Sequence, residues 1–352
     1  MPSTKPRIVF LYTELAGYIR ACMEQLAAAG AEVHVFAFPV NAEAPFDFDT
    51  ADALCRYLPR RDYDLAALRD EVARIDPDLV VCSGWIDPDY VALCRSLRPK
   101  VRTVLALDNQ YPATLRGKLA LLRAKVRFKS AFDFAWVPGS PQVAYAEAMG
   151  FRKDKIFTGF YTADTDHFSR FYKARPQGSF AKRFLYFGRY VDFKGVRELW
   201  EAFGRLDAPD WELWCAGTGA LFDERPEMPG LRHFGFVQPA DLDTFVAEGG
   251  VFVLPSTREP WGVAVHEFAA AGLPLICTNV TGAASAFLED GKNGILVPPA
   301  DVGALYSAMK TMTEKPISEL ESMGKLSAEA AAELSKEKWA ETAFDILKTS
   351  KP

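Results

Sequence analysis

Val251-Phe-Val-Leu-Pro-Ser-Thr-Arg-Glu259-Pro-Trp-Gly-Val-Ala-Val-His-Glu267 decides how the chain is read. Its first four residues are an unbroken apolar run and read as a buried strand. Pro255, Ser256, Pro260 and Gly262 mark a turn, and Val263 to Gly272 reads as a helix closed by a C-terminal glycine. Glu259 and Glu267 stand eight positions apart, which on one continuous helix would turn them by about 80°. Pro260 disfavours helical geometry for Glu259. Glu259 therefore belongs to the loop and Glu267 to the helix, one carboxylate on each side of a helix N-terminus. In open α/β sheets ligands bind at the carboxyl ends of strands, and the free amides of a helix N-terminus suit a phosphate.

Outward from this stretch the chain alternates strands and helices. In the first half, Arg7–Tyr12, Glu32–Phe38, Leu79–Cys82, Lys100–Leu107 and Phe132–Val137 read as strands. Helices are expected over Gly17–Ala29, Leu65–Arg74, from Pro88, over Ala113–Lys129 and over Pro141–Met149, with a polar and aromatic loop running to about Pro59. Gly159 to Ser179 breaks the rhythm and reads as a link. The rhythm restarts with strands over Arg183–Phe187, Trp211–Ala216, Leu231–Phe234, Leu275–Cys277 and Gly294–Val297, and helices over Gly195–Phe203 and Ala240–Ala247. From Asp301 the chain is helical, broken near Lys315-Pro316, with a separate helix from Lys336. The pattern predicts two doubly wound, mostly parallel α/β domains. They are placed at 1–170 and 171–335, with 336–352 as a C-terminal helix that could pack back on the first domain.

The 352 residues, 49% hydrophobic and 25% charged, have the composition of a globular protein with ample core. No apolar run reaches the roughly 20 residues that span a bilayer, and the N-terminus does not read as a signal peptide. A cytoplasmic location is expected, peripheral to the inner face of a membrane if it meets one. The six cysteines form no CxxC and read as reduced, buried thiols. A net charge of −5 argues against general nucleic-acid binding. The charge is uneven: residues 1–175 carry 24 Lys+Arg against 21 Asp+Glu, the remainder 17 against 25.

Several strand-end loops carry candidate chemistry. Phe187-Gly188-Arg189 to Lys194-Gly195 brackets a turn with two cations, a diphosphate clamp or equally a solvated turn. Ala216-Gly217-Thr218-Gly219 is a weak fragment of a dinucleotide fingerprint. Phe234-Gly235-Phe236-Val237 could meet a base edge through its backbone. Thr281-Gly282 to Asp290-Gly291-Lys-Asn-Gly294 is a glycine-punctuated loop placed on the side where the other loops gather.

Glu259-x7-Glu267 with Pro260, Gly262 and Ala271-Gly272-Leu-Pro274 resembles the signature of retaining glycosyltransferases of family 4 (glycosyl transferases group 1). Gly188-Arg189 with Lys194-Gly195, Phe234 to Val237 and Asp290 to Pro298 match that family's pattern in the same order. The resemblance covers about residues 183–300 and is architectural before that. It implies the GT-B fold, two Rossmann-like doubly wound domains facing each other across a cleft. It further implies a hexosyl transfer from a UDP- or GDP-type sugar to a hydroxyl acceptor, a glycan or lipid-linked saccharide. By the same resemblance Arg189 and Lys194 bind the donor diphosphate, Glu267 the ribose, and Glu259 the sugar hydroxyls. Backbone around Trp261, Gly262 and Val263 holds sugar and phosphate, Gly188 lets backbone approach the donor, Val237 flanks the base, and Gly17 approaches the phosphates from the first domain.

The first half departs from the family pattern. A histidine frequent after the fifth strand is replaced by Asp108-Asn109, which are expected to take part of its contact in the sugar or acceptor pocket. The usual Asn-Gly-Val-Asp turn is replaced by Gly159 to Asp164, and a glycine pair is reduced to Gly17 with Glu14 nearby. Glu267, beside an anion site, is expected to be ionised, which removes a glycosidase reading with one protonated carboxyl. The implied transfer is retaining and metal-independent, with no cofactor beyond the nucleotide-sugar co-substrate. Asp-x-Asp occurs six times, mostly where caps and turns are expected, so no metal ligand is assigned. A sugar-nucleotide epimerase and a non-catalytic sugar-nucleotide-binding protein remain as alternatives. Residues 115–129 carry six cations and no acid. They read as an amphipathic helix on anionic lipid, a solvated helix face, or cations beside a phosphorylated acceptor.

Overall fold

The computed structural model describes residues 5–13, 15–38, 53–111, 114–238 and 241–352. The chain divides into two compact units: Met1–Thr162 with Lys336–Pro352, and Ala163–Ser335. The first holds β1 (Arg7–Tyr12), α1 (Gly17–Ala28), β2 (Glu32–Ala37), β3 (Arg56–Pro59), α2 (Leu65–Ile75), β4 (Leu79–Ser83) and α3 (Pro88–Leu97). It continues with β5 (Arg102–Ala106), α4 (Leu115–Phe128), β6 (Phe134–Trp136), α5 (Ser140–Ala148) and β7 (Ile156–Phe157). Its strands lie in the order β3-β2-β1-β4-β5-β6-β7, paired in parallel throughout.

A parallel sheet needs cover on both faces, and β1 shows how the sequence supplies it. Val9 and Leu11 enter a core with Leu68 and Val72 of α2 and Leu121 and Phe128 of α4. Ile8, Phe10 and Tyr12 enter the opposite core with Ile19 and Met23 of α1. The C-terminal helix Lys336–Lys348 completes that second layer. Its Trp339 stacks on Trp136 at 4.7 Å and donates its indole N–H to the Phe160 carbonyl at 2.8 Å.

The second unit holds α6 (Thr165–Ala174), β8 (Arg183–Phe187), α7 (Val196–Gly204), β9 (Glu212–Ala216), β10 (Leu231–Gly235), α8 (Leu242–Ala247), β11 (Val251–Leu254) and α9 (Val263–Ala270). It ends with β12 (Leu275–Thr278), α10 (Ala284–Phe287), β13 (Gly294–Val297), α11 (Val302–Glu314) and α12 (Ile317–Ala332). The order β10-β9-β8-β11-β12-β13 is again parallel, with both neighbours of β8 and of β11 settled by their registers. All six cysteines are free and buried.

Three elements differ from the sequence expectation. Arg56–Pro59 is an edge strand on β2 within what reads as a loop, four residues long and ending in a proline, too short to signal itself. Ile156–Phe157 is a two-residue edge strand. The expected link contains α6, capped by the Asp164 carboxylate, which accepts the His167 N–H at 3.3 Å. Phe168 and Tyr172 recur at helical spacing and pack α6 on the second unit, so the unit boundary falls at Thr162/Ala163 rather than at 170/171. The expected helix starts at Ala113 and Ala240, like Glu14, lie outside the described residues.

Candidate functional site

The two halves of the second sheet are wound in opposite directions from β8 and β11. β8 connects through α7 to β9 on one side, and β11 through α9 to β12 on the other. The loops leaving their carboxyl ends, 188–195 and 255–262, therefore meet at the topological switch point, where open α/β sheets bind ligands. The two loops are tied together. The Thr257 and Arg258 N–H groups both donate to the Phe193 carbonyl, at 2.9 and 3.4 Å. Gly195, at φ +68°, lies so close to the same loop that a Cβ there would stand 2.1 Å from the Pro255 carbonyl oxygen. A third loop is tied on from β12: Gly282 N–H donates to the Glu259 carbonyl at 3.1 Å and Ala283 N–H to the Trp261 carbonyl at 2.9 Å.

This arrangement brings Lys194 and Glu259 into an ion pair. Their side chains are 15% and 10% exposed, so water screens the pair weakly. Ser256 Oγ donates to the same Glu259 oxygen at 3.2 Å. Glu259 is thus matched with a cation of the neighbouring loop and not with Glu267. Arg189 stays exposed at the mouth of its loop, its guanidinium 5.7 Å from the Phe193 ring centroid. Arg258 stands over the same ring at 5.1 Å. Arg258 is a third site cation that the sequence reading passed over. It precedes Glu259 directly, but only the tertiary contact of the two loops puts it beside Phe193.

Above the pair α9 begins at Gly262, φ +92°, with no side-chain cap and no acid in its first turn. The first amides of a helix have no intrahelical carbonyl to donate to, so this end can accept an anion. Trp261 is buried and its carbonyl accepts the Ala283 N–H, whereas Val263, the first residue of α9, is half-buried. Val237 lies just beyond β10, half-buried, at the same edge of the sheet.

Glu267 departs from expectation. The residue is part-buried and its carboxyl group is enclosed, and this burial, reinforced by the Asp164 carboxylate, pushes its pKa up to about 7. Near neutral pH the free protein holds it partly protonated, not fully ionised, because removal from water opposes charge. Its neighbour His266 is buried, accepts the Ala163 N–H at Nδ1 (3.0 Å) and donates from Nε2 to the Ala331 carbonyl (3.0 Å). Burial lowers the His266 pKa to about 4.

Other motifs resolve into packing. A Cβ on Gly188 would stand 3.2 Å from the Tyr186 hydroxyl, which donates to the Arg189 carbonyl at 2.8 Å. The Gly217-Thr218-Gly219 turn supports this first loop: Gly188 N–H donates to the Ala216 carbonyl at 3.0 Å and Tyr190 N–H to the Thr218 carbonyl at 2.8 Å. Thr281-Gly282 joins the site, whereas Asp290–Gly294 does not. The latter enters β13 and so lies at the amino edge of the sheet, away from the other loops. There Asp290 accepts the Leu296 N–H at 2.8 Å, and buried Asn293 donates to the Phe287 carbonyl at 2.8 Å.

Of the Asp-x-Asp pairs, Asp64, Asp87 and Asp164 cap helices, Asp76 and Asp78 hold Arg7, and Asp243 pairs with Arg170. Asp47/Asp49 lies outside the described residues. Gly17, at the start of α1, and Asp108-Asn109, just past β5, belong to the first unit, and Asp108 sits near the Tyr12 phenol.

Comparison with known proteins bears on the whole chain. The profile of the family described as Glycosyl transferases group 1 matches residues 181–315. Sulfoquinovosyl transferase SQD2 of Arabidopsis thaliana is 31% identical over 358 residues, covering 88% of this chain and 67% of that protein. Glycogen synthase of Mycobacterium tuberculosis is 34% identical over 141 residues, 38% of this chain and 34% of that protein. The chain thus spans about a third of the length of this first curated relative. Among solved structures, sucrose-phosphate synthase from Thermosynechococcus elongatus superposes with a TM-score of 0.75 at 20% identity, covering 98% of both chains. Anabaena HepE in complex with UDP-glucose gives 0.71 at 17% identity, covering 97% of this chain and 99% of that one.

Proposed function

The chain belongs to the glycosyl transferases group 1 family and has the GT-B fold, and on that premise we propose that it moves a hexose from a nucleotide-diphosphate sugar of UDP or GDP type to a hydroxyl acceptor. The acceptor is a glycan or a lipid-linked saccharide, and the transfer is retaining and metal-independent. The observation that carries this reading is the shielded Lys194–Glu259 pair joining the two switch-point loops beneath the open N-terminus of α9.

In this reading the donor diphosphate lies against the α9 amides, with Arg189 and Lys194 on its oxygens. The bond between the anomeric carbon and the diphosphate oxygen breaks, and charge builds on that oxygen. Cations and oriented amides already in place stabilise it without reorganising, which is where most of the rate arises. The acceptor hydroxyl attacks from the same face and its proton passes to the departing diphosphate oxygen, so no enzymic nucleophile is required. Glu259 orients the Lys194 ammonium and meets sugar hydroxyls. Glu267 holds the ribose hydroxyls, accepting a hydrogen bond when ionised and also donating one when protonated. Arg258 adds positive potential at the mouth. Gly17 is assigned to the donor phosphates, and Asp108 and Asn109 to the sugar or acceptor pocket.

Thermal-shift and calorimetric screening against UDP-, GDP-, ADP- and TDP-sugars tests the donor, since a bound ligand raises stability in proportion to the logarithm of its concentration over Kd. Product analysis with and without saccharide acceptors then separates transfer from epimerisation, the anomeric configuration of the product tests retention, and EDTA tests metal independence. Normal turnover in Glu259→Ala and Lys194→Ala would sink the assignment.

A further inference from the structure

α4 presents an apolar stripe to solvent. Leu115, Leu119, Leu122 and Val126 are 81, 61, 59 and 76% exposed. At about 100° per residue they fall within an arc of about 60°. Leu121 and Phe128, both buried in the first unit, lie on the opposite side of the helix. Between these two faces run two rows of exposed cations. Arg116, Arg123 and Arg127 lie about 70–110° from the midline of the stripe on one side, and Lys118, Lys125 and Lys129 about 50–90° on the other. No carboxylate occurs from Leu115 to Lys129, in a chain whose net charge is −5. Among the described residues none of the six cations is in an ion pair.

A solvated helix face would not set four large aliphatic side chains outward in one line. Nucleic acid would engage the cations and leave the leucines in water. A second copy of the chain would bring six cations against six. An anionic bilayer satisfies both features, because its acyl boundary takes the stripe and its headgroup phosphates take the rows on either side. We propose that α4 docks the protein on anionic lipid, lying in the membrane plane with Leu115, Leu119, Leu122 and Val126 seated below the phosphates. Among the described residues no helix is long and apolar enough to cross a membrane, so this contact lies on the bilayer and does not span it. The proposal does not rest on the transfer reading, and its test needs no donor.

Flotation of the full chain with phosphatidylcholine vesicles, with and without phosphatidylglycerol, tests it. The wild type should float with the anionic vesicles alone and be released by salt. Arg116→Glu/Lys118→Glu/Arg123→Glu should lower partitioning about 100-fold, at roughly fivefold per cation removed. Leu119→Ser/Leu122→Ser, which keeps every charge, should lower it at least about tenfold. Both variants should melt with the wild type, because the altered side chains are exposed. Absence of binding by the wild type, equal binding to neutral vesicles, or full binding by the leucine variant would each overturn the proposal. So would a wild-type dimer by light scattering that the leucine variant converts to monomer.

Discussion

Lys194→Ala should destabilise the second unit by more than the loss of one contact. Glu259 keeps its other contacts, the Ser256 hydroxyl at 3.2 Å among them, but loses the Lys194 ammonium while only 10% exposed. Breaking a buried pair by removing one partner costs about 3–5 kcal/mol, and the residual exposure and remaining contacts of Glu259 bring the expectation to the low end, about 3 kcal/mol. For a unit of this size that lowers the melting temperature by about 6–12 °C. Glu259→Gln should cost less, about 1–2 kcal/mol, because the flexible Lys194 stem can carry its ammonium to water. If the pair is the tie between the loops, the two losses must not add. Lys194→Ala/Glu259→Gln should fall short of their sum by about 1–3 kcal/mol. Urea unfolding followed by tryptophan fluorescence measures this, with the two units fitted as separate transitions. The same variants should lose at least about 100-fold in turnover at saturating donor. A loss below about 1 kcal/mol in Lys194→Ala, or strict additivity in the cycle, would refute the reasoning.

Glu267 and His266 should tilt stability in opposite directions with pH. Glu267, raised from 4.5 to about 7, holds a proton that the unfolded chain releases, so its contribution falls by about 3 kcal/mol as pH rises through that window. His266, lowered from 6.5 to about 4, does the reverse, losing about 3 kcal/mol as pH falls from 6.5 to 4. Glu267→Gln should therefore steepen the rise of stability from pH 4 to 6.5 in denaturation series, and an unchanged slope would contradict the burial argument. Gly195→Ala should destabilise by more than 2 kcal/mol and abolish donor binding, since its Cβ would meet Pro255 O at 2.1 Å. Gly291→Ala, with φ +76° and nothing within 4 Å, should cost only about 1–2 kcal/mol. Trp339→Ala empties the space between Phe10, Trp136 and Phe160 and should remove about 3–5 kcal/mol from the first unit alone, as its separate unfolding transition will report.

Much of the fold is legible in the chain because parallel strands are buried on both faces and announce themselves as apolar runs. Runs such as Ile8 to Tyr12 and Val251 to Leu254 are bounded by turn residues that fix where each ends. The short edge strands β3 and β7 carry no such run, since pairing on one side requires little apolar sequence. α6 stayed hidden because its aromatics, read beside Pro176 and Gly178, resemble a loop until their spacing is set against a surface to cover.

At the site, sequence order alone placed Glu259 in a loop and Glu267 in a helix, and the family resemblance set that loop with Arg189 and Lys194. Pro260 and the strand-turn-helix rhythm are local signals, and local signals survive in one dimension. What the tertiary structure decided is which groups touch. Winding the sheet in opposite directions from β8 and β11 is what brings Lys194 onto Glu259 and Arg258 beside Phe193, across some 65 positions of chain. It also sent Asp290–Gly294 to the far edge, since a residue entering a parallel strand cannot share an edge with residues leaving one. The charge state of Glu267 was likewise beyond the sequence, because it depends on how much water the fold removes from the carboxyl and on Asp164, more than 100 positions earlier.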